Sequence, residues 1–483
     1  MTVEYELKLV LDDTKALSAL FRALELGAPT ITRMRAIYFD TPALSLSKSG
    51  YSLRIRQEGR SRVQTVKAGS GAGAFARQEW EQPVRGNTPR LDADSPIVAV
   101  LGAQVAALEP RFEVKTHRRA WAIKTGDVVI EMVVDRAEAR SGDMTTPFTE
   151  IELELKKGDE AALFAFARRI GKLAPVRLGV LSKVERAQRL AKQPSASAKE
   201  REVLVTPDMM TADAFRAIVQ TCLRHYRLNE DRVMAANNAA ALHQARVALR
   251  RLRSALAAFQ PVVKGAAARR VNDDLRWLTG QLGRARNIDV LLARCDGTNL
   301  QPKLRAARRA AYADARSAMA SPLSRELMMD IVEWINIGEW AERRKGHKLR
   351  EQPARDYAVR AIGRLHQNLV SYAKDIAGPD DERRHEARKA AKKLRYTVEF
   401  FTSIFDKGKE RKARTRYLAA LEALQDHLGV LNDLAVMPPL LAELGLDLEG
   451  VPDLARECGE RGPLIERSAH AMTLLCDAKR FWE

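Results

Sequence analysis

Glu4-Tyr5-Glu6-Leu7-Lys8-Leu9-Val10-Leu11 opens in strict alternation, with Glu4, Glu6 and Lys8 on one side and Tyr5, Leu7 and Leu9 on the other. Alternation of period two predicts a strand. Side chains two apart share a face at a spacing of about 6–7 Å, so two carboxylates and an ammonium line up there. Paired carboxylates suit a hard divalent cation, and a lysine beside them suits an anion that the same cation also holds. A solvated strand face would alternate in the same way. The decision therefore rests on whether later strands carry complementary charge.

They do. Ile37 to Asp40 ends in the turn residues Thr41-Pro42, and Tyr51 to Gln57 puts Arg54 and Arg56 together, opposite Leu53 and Ile55. Val63, Thr65 and Lys67 share a face, and Glu79 and Glu81 alternate with Trp80. Arg111 to Ile123 and Val128 to Arg136 follow, the second carrying Glu131 and Asp135. Thr149 to Lys156 repeats the opening pattern, with Glu150, Glu152, Glu154 and Lys156 against Ile151, Leu153 and Leu155. One helical spacing (Leu17, Leu20, Phe21, Leu24) interrupts the series and stops at Gly27.

Acidic strands and basic strands are thus segregated, whereas solvated faces usually mix Thr, Ser and Gln among the charges. A closed antiparallel barrel with a polar interior explains this, its apolar faces turned outward under helices. Acid and base then converge on one elongated ligand. A polyanion with bound metal fits, carboxylates taking the metal while Arg and Lys take phosphoryl oxygens. Gly69-Ser70-Gly71-Ala72-Gly73 lacks the Gly-Lys-Ser/Thr ending of a phosphate loop and reads as a connection between strands.

Taken in order, Glu4-x-Glu6-x-Lys8, Tyr38-Phe39-Asp40-Thr41, Leu53-Arg54-Ile55-Arg56, Thr65-Val66-Lys67, Arg118-x-x-Trp121, Asp135, Glu150-Ile151-Glu152-Leu153-Glu154 and Ser182-Lys183-x-Glu185-Arg186 resemble the signature of the CYTH domains, the triphosphate tunnel metalloenzymes. The resemblance covers about residues 1–190. It implies an eight-stranded antiparallel tunnel that hydrolyses or cyclises triphosphate substrates with Mg²⁺ or Mn²⁺. It also implies roles: Glu4, Glu6, Glu150 and Glu152 as metal ligands, with Asp135 holding or orienting a second metal. Lys8, Arg54, Arg56, Lys67, Arg118 and Lys183 would bind phosphates. Glu4, Glu6, Lys8 and Asp135 would then be the catalytic set.

The chain has 483 residues, enough for two or three domains, and 81 Lys+Arg against 62 Asp+Glu give a formal charge of +19. Such a balance predicts an anionic partner. Cys222, Cys295, Cys458 and Cys476 lie far apart without a Cys-x-x-Cys pair, which fits a reducing cytosol better than a disulfide framework. Without an apolar leader or an apolar run long enough for a membrane, the expectation is a cytoplasmic protein.

Gln193-Pro194-Ser195-Ala196-Ser197 marks a domain boundary. The predicted division is 1–192, a linker at 193–206, and 207–483, giving an α+β two-domain chain. Past the linker, 3.6-residue spacing in Ala/Leu/Arg-rich segments predicts an all-α bundle. That half repeats internally: the fourteen residues from His243 match those from His385, six of them identical. A second pair of segments follows, around Gly283-Arg284-Ala285-Arg286-Asn287 and Gly429-Val430-Leu431-Asn432-Asp433. A duplicated helical unit results.

At about 100° per residue, His243, Arg246, Arg250 and Arg253 fall within a wedge of roughly 80°, opposite Ala245, Leu249, Leu252 and Leu256. His385, Arg388, Lys392 and Arg395 occupy the same wedge in the second copy, widened by Lys389 and Lys393. Surface helices usually interleave Glu with Lys; these stripes carry almost no acid and repel themselves unless an anion is present. Single-stranded nucleic acid wants aromatic platforms among the basic residues, and only Tyr396 lies in either stripe region. The pattern resembles the CHAD domain, a helical domain with histidine-containing basic motifs associated with inorganic polyphosphate, and covers about 207–483. The combined expectation is hydrolysis of inorganic triphosphate in the first domain and polyphosphate binding by the second, in the cytoplasm, with polyphosphate granules as one place of association. An adenylate cyclase, a thiamine or nucleoside triphosphatase, and a polyphosphate scaffold without turnover remain as alternatives, with nucleic-acid binding last.

Overall fold

The computed structural model describes residues 2–11, 15–68, 76–92, 94–191, 195–295 and 298–483. The glycine-rich connection at 69–75 lies outside the described residues. The chain separates into two compact units, 1–196 with 325–337, and 197–324 with 338–483.

The first unit is built on strands β1 (Thr2–Leu11), β2 (Thr30–Asp40), β3 (Tyr51–Glu58), β4 (Ser61–Ala68), β5 (Ala76–Pro83), β6 (Glu109–Thr125), β7 (Val128–Ser141), β8 (Met144–Lys157) and β9 (Val176–Leu178). The order β5-β4-β3-β2-β6-β7-β8-β1 closes on itself through an antiparallel β5–β1 pairing. Eight strands therefore form the predicted ring. The ninth, β9, is a three-residue addition that pairs with the end of β1 at Leu9, Val10 and Leu11.

Register fixes what faces inward, because residues directly opposite on neighbouring strands share a face. Lys8 stands opposite Glu152, Asp135 opposite Glu150 and Arg118, Tyr38 opposite Arg54, and Lys67 opposite Glu79. All these lie on the inner wall. Leu7, Leu9, Ile151 and Leu153 point the other way and are buried. The Glu160–Leu173 helix packs against β1, β8 and β9 and contributes its own buried Leu163, Phe164, Ala167 and Ile170. Outer apolar faces under helices were the expectation.

The inner wall is not polar throughout. Ala36, Tyr38, Phe112, Val114, Ala137 and Ala139 are inward-facing, buried and packed around Ala187 of the Lys183–Leu190 helix, with Phe148 and Val184 beside them. This helix occupies the barrel at the end where β2 and β7 finish and β8 begins. Its start is fixed by a capping box: the Ser182 hydroxyl accepts from the Glu185 amide while the Glu185 carboxylate accepts from the Ser182 amide. Its far side is tied by Gln188 Nε2, which donates to Ser47 Oγ at 2.6 Å. Asp40, buried, accepts from the amides of Thr41, Leu46 and Ser47 and from the Ser47 hydroxyl. The Tyr38-Phe39-Asp40-Thr41 motif is thus part of the frame that seats this helix. Residues 325–337 also belong to this unit, where Arg168 pairs with Asp330 at 2.7 Å and with Glu333.

The second unit is helical. Residues 197–206, expected as linker, are laid along it instead: Val203 and Val205 are buried, the Val205 amide donates to Ser403 Oγ, and Asn229 Oδ1 accepts from the Ala198 amide. The two basic segments are the Ala239–Ala258 and Asp381–Phe400 helices, which pack against each other. Their apolar sides form the core, with Ala245, Leu249, Leu252, Ala387, Ala391, Leu394, Val398 and Phe401 each at most 1% exposed. Phe215, Phe259, Tyr357 and Phe401 extend it as an aromatic cluster. All four cysteines are free. Among the described residues, no helix is long and apolar enough to cross a membrane.

Candidate functional site

In the barrel, acid comes from β1, β5, β7 and β8, and base from β1, β3, β4, β6 and the Lys183–Leu190 helix. Arg118 engages Asp135 through a fork, Nε to Oδ1 at 2.8 Å and Nη2 to Oδ2 at 2.7 Å, and reaches Glu152 Oε2 at 2.9 Å. The Lys183 ammonium lies 2.9 Å from Asp135 Oδ2, 2.7 Å from Glu150 Oε1 and 2.6 Å from Glu152 Oε1. Lys8 pairs with Glu152 and with Glu6. Gly179 runs close against Lys8, and only its lack of a side chain lets it: the Gly179 amide donates to the Lys8 carbonyl at 2.7 Å, and a Cβ there would stand 3.0 Å from Lys8 Cβ.

The electrostatics follow from these distances. Burial alone would raise the Glu152 carboxyl, but Lys183, Lys8 and Arg118 outweigh it and hold it well below the usual carboxylate range. Burial likewise works against the Lys183 ammonium, yet Glu150, Glu152 and Asp135 lift it well above the ordinary lysine value. Lys8 and Arg118 are raised for the same reason, the carboxylates overcoming the cost of burial.

A second group sits on the opposite wall. Lys67 is 3.0 Å and Arg54 3.8 Å from Glu79, and Arg56 is 3.6 Å from Glu81. Arg54 is buried, which lowers it, but Tyr38 and Glu79 raise it on balance. Arg56 is lowered, by burial and then by Arg54 beside it. Glu79, Glu81, Tyr38 and Arg186 were not among the candidate residues. The alternation of Glu79 and Glu81 around Trp80 was the available signal for two of them. Arg186, 3.4 Å from Glu150 and stacked on Phe148, follows Lys183 by three positions on one helix face. Arg119, the neighbour of Arg118, points outward and stacks on Phe21 and Trp121. The Glu4 side chain, like that of Arg77 opposite it in register, lies outside what the structure describes; Glu6 is described and meets Lys8.

Asp135, Glu150 and Glu152 each offer an oxygen, all within 4.8 Å of one another. Glu150 is fully buried, and its Oε1, though at ion-pair distance from Lys183, completes no hydrogen bond among the described residues. An all-oxygen donor set this closely spaced fits a hard divalent cation.

The helical unit gathers its cations differently. His243, Arg246, Arg250, Arg286 and Lys392 surround one another, and Arg388 and Arg395 join from the second helix. Burial and then Arg286, Arg250 and Arg246 push the His243 imidazole down to about 4. Burial, Arg388 and Arg250 push the Lys392 ammonium down to about 6, against a small opposing pull from Asp433. Arg246 falls to about 10, by burial and then Arg250 and Arg286. Among the described residues, the side chains of Arg250, Arg286, Arg388 and Lys392 make no hydrogen bond or ion pair. Among the described residues, the Nε atoms of Arg246, Arg250 and Arg388 are buried without a hydrogen-bond partner.

Other stripe members stand apart from this centre. Arg253 donates to Asn272, Lys389 pairs with Glu386, and Lys393, lowered mainly by burial, lies nearer Arg253. Arg395 pairs with Glu399 at 3.3 Å. His385 Nδ1 lies 3.2 Å from Asn432 Oδ1, whereas the repeat-equivalent neighbour of His243 is Arg286. The duplication had flagged position 286 without giving it a role.

Family models match both units, a CYTH domain over residues 2–187 and a CHAD domain over residues 217–442. The chain is a CYTH–CHAD protein. It is 30% identical over 138 residues to an inorganic triphosphatase of Haemophilus influenzae, a match that takes in 27% of this chain and 38% of that relative's length. It is 27% identical over 400 residues to an uncharacterised protein of Mycobacterium tuberculosis, covering 76% of this chain and 75% of the relative. Among solved structures, the CHAD domain from the plant Ricinus communis is 29% identical with a TM-score of 0.48, covering 59% of this chain and 97% of that one.

Proposed function

We propose that the barrel hydrolyses inorganic triphosphate with a divalent metal and that the helical unit binds inorganic polyphosphate. The observation that carries the first part is the convergence of Lys8, Arg118 and Lys183 on Asp135, Glu150 and Glu152 inside a closed barrel. Glu150 and Glu152, with Glu6 on the adjacent strand and Glu4 two residues before it, would hold the metal. When bound, the metal neutralises phosphoryl oxygens and lowers the pKa of a water. Lys8, Arg118 and Lys183 bind phosphate from one wall, and Arg54, Arg56 and Lys67 from the other, which holds a linear anion stretched between them. Asp135 takes both arms of Arg118 and so sets the direction of its fork. The inorganic triphosphatase of Haemophilus influenzae supports this choice of substrate over nucleotide.

The second part rests on Arg250, Arg286, Arg388 and Lys392, half-buried basic side chains that make no hydrogen bond or ion pair among the described residues and come from both halves of a duplication. A flexible chain of phosphates supplies many negative oxygens without needing the aromatic platforms that nucleic-acid bases would use.

A turnover screen tests the first part: inorganic triphosphate, ATP and thiamine triphosphate, each with Mg²⁺ or Mn²⁺. Release of phosphate from inorganic triphosphate should dominate; cyclic AMP as the main product would overturn the hydrolase reading. Polyphosphate binding at fixed ionic strength, compared with duplex DNA of equal phosphate count, tests the second. Equal affinity would leave only a generic basic surface.

A further inference from the structure

Lys183 stands where a divalent cation would stand. Its ammonium is within 2.9 Å of oxygens from all three carboxylates of the cluster, Asp135, Glu150 and Glu152. Those oxygens lie within 4.8 Å of one another, a spacing that a single cation spans. Three carboxylates face Lys183, Lys8 and Arg118, with Arg186 at the edge of Glu150. Without metal the cluster is therefore already neutralised from within.

The cations are not equally able to leave. Arg118 is locked by a two-point fork on Asp135. Lys8 sits in a strand, hemmed by Gly179. Lys183 is the first residue of its helix, on a flexible four-carbon stem, holding its partners as a point charge.

We infer that Lys183 is a resident counter-cation that competes with the divalent metal for Asp135, Glu150 and Glu152, and that it turns to phosphate when metal enters. This rests on the metal-dependent reading of the barrel. Its consequence is coupling. Metal entering alone leaves two excess positive charges and a displaced ammonium, both of which a triphosphate neutralises. Metal and anion therefore strengthen each other's binding, while either alone binds weakly.

The test is Mn²⁺ binding to the full-length protein in anion-free buffer, read from the loss of the free-ion signal in electron paramagnetic resonance. Lys183→Met removes the competitor and should tighten Mn²⁺ by about tenfold or more. Thermal unfolding gives a second readout: the variant should melt lower than wild type in EDTA and gain more from Mn²⁺. Lys183→Arg keeps the charge and should bind Mn²⁺ as wild type does. Unchanged or weaker Mn²⁺ binding by folded Lys183→Met would overturn the competition while leaving the metal site in place. Failure of wild type and both variants to bind Mn²⁺ would remove the metal reading and this inference with it. Should Lys183→Met fail to fold even with Mn²⁺, tight Mn²⁺ binding by Lys183→Arg would count against competition on its own.

Discussion

Lys392→Met should stabilise the protein in the absence of anion. The Lys392 ammonium falls from its usual 10.5 to about 6, chiefly through burial and then Arg388 and Arg250. A base whose folded value is depressed destabilises the fold where the unfolded chain would be protonated: the cost begins below 10.5, grows as pH falls and is complete near 6. At pH 7 most of it is present. One unit is about 1.4 kcal/mol, but the group is partly solvated and the site recruits counter-ions, so about a third of the nominal cost at pH 7, roughly 1.5 kcal/mol, is a fair expectation. For a helical unit of this size that is a rise in Tm of about 3–6 °C.

Circular dichroism at pH 7 in a low-salt, phosphate-free buffer would read it, and the gap between variant and wild type should close as pH approaches 10. Polyphosphate should reverse the order, since wild type gains more from binding. Binding should also take up protons at pH 7 in wild type, because an anion restores the Lys392 charge, and take up fewer in the variant. Calorimetry in buffers of different ionisation heat measures that. A Tm for Lys392→Met below wild type without anion would refute the reasoning, since the ammonium would then be contributing stability.

Three further outcomes are expected. Glu150→Gln should reduce triphosphate turnover at least about a hundredfold at saturating substrate, with Mn²⁺ binding falling in parallel; full activity at saturating metal would exclude Glu150 as a ligand. Gly179→Ala should push on the Lys8 strand at a cost of about 1–3 kcal/mol, seen as a lower Tm together with a higher KM; an unchanged KM would show that Lys8 is not displaced. Arg250→Glu should weaken polyphosphate binding about tenfold or more and flatten its salt dependence, while triphosphate turnover stays as in wild type; equal affinity would separate Arg250 from the ligand.

The ring of strands was legible because alternation survives in almost every one of them, and register then carries charge segregation into three dimensions. Two features were not. Ala36-Ile37-Tyr38-Phe39 is apolar on both faces, and such a run does not reveal that one face lies inside the barrel against a helix. Val176-Arg177-Leu178 is too short for any periodicity, so the ninth strand could not be read. In the site, the spacing to Trp121 favoured Arg118 over Arg119 without deciding between them, and the structure turns the two to opposite faces. Arg286 lay in plain view within the repeat, but its neighbours in space, His243 and Arg250, come from another helix, and no local pattern connects them. The grouping of 325–337 with the first unit has no trace in composition at all.

The helix seated in one end of the barrel has a kinetic meaning. With Ala187 and Val184 packed among Ala36, Tyr38, Phe112 and Val114, that end is filled by side chains, so on the proposed reading a linear substrate would enter, and its products leave, by the opposite mouth. A long polyphosphate could present only its terminus and would have to back out after each cleavage. Any such degradation should therefore be distributive, shortening every chain of a population a little at a time, with the released phosphate leaving by the mouth through which the chain entered.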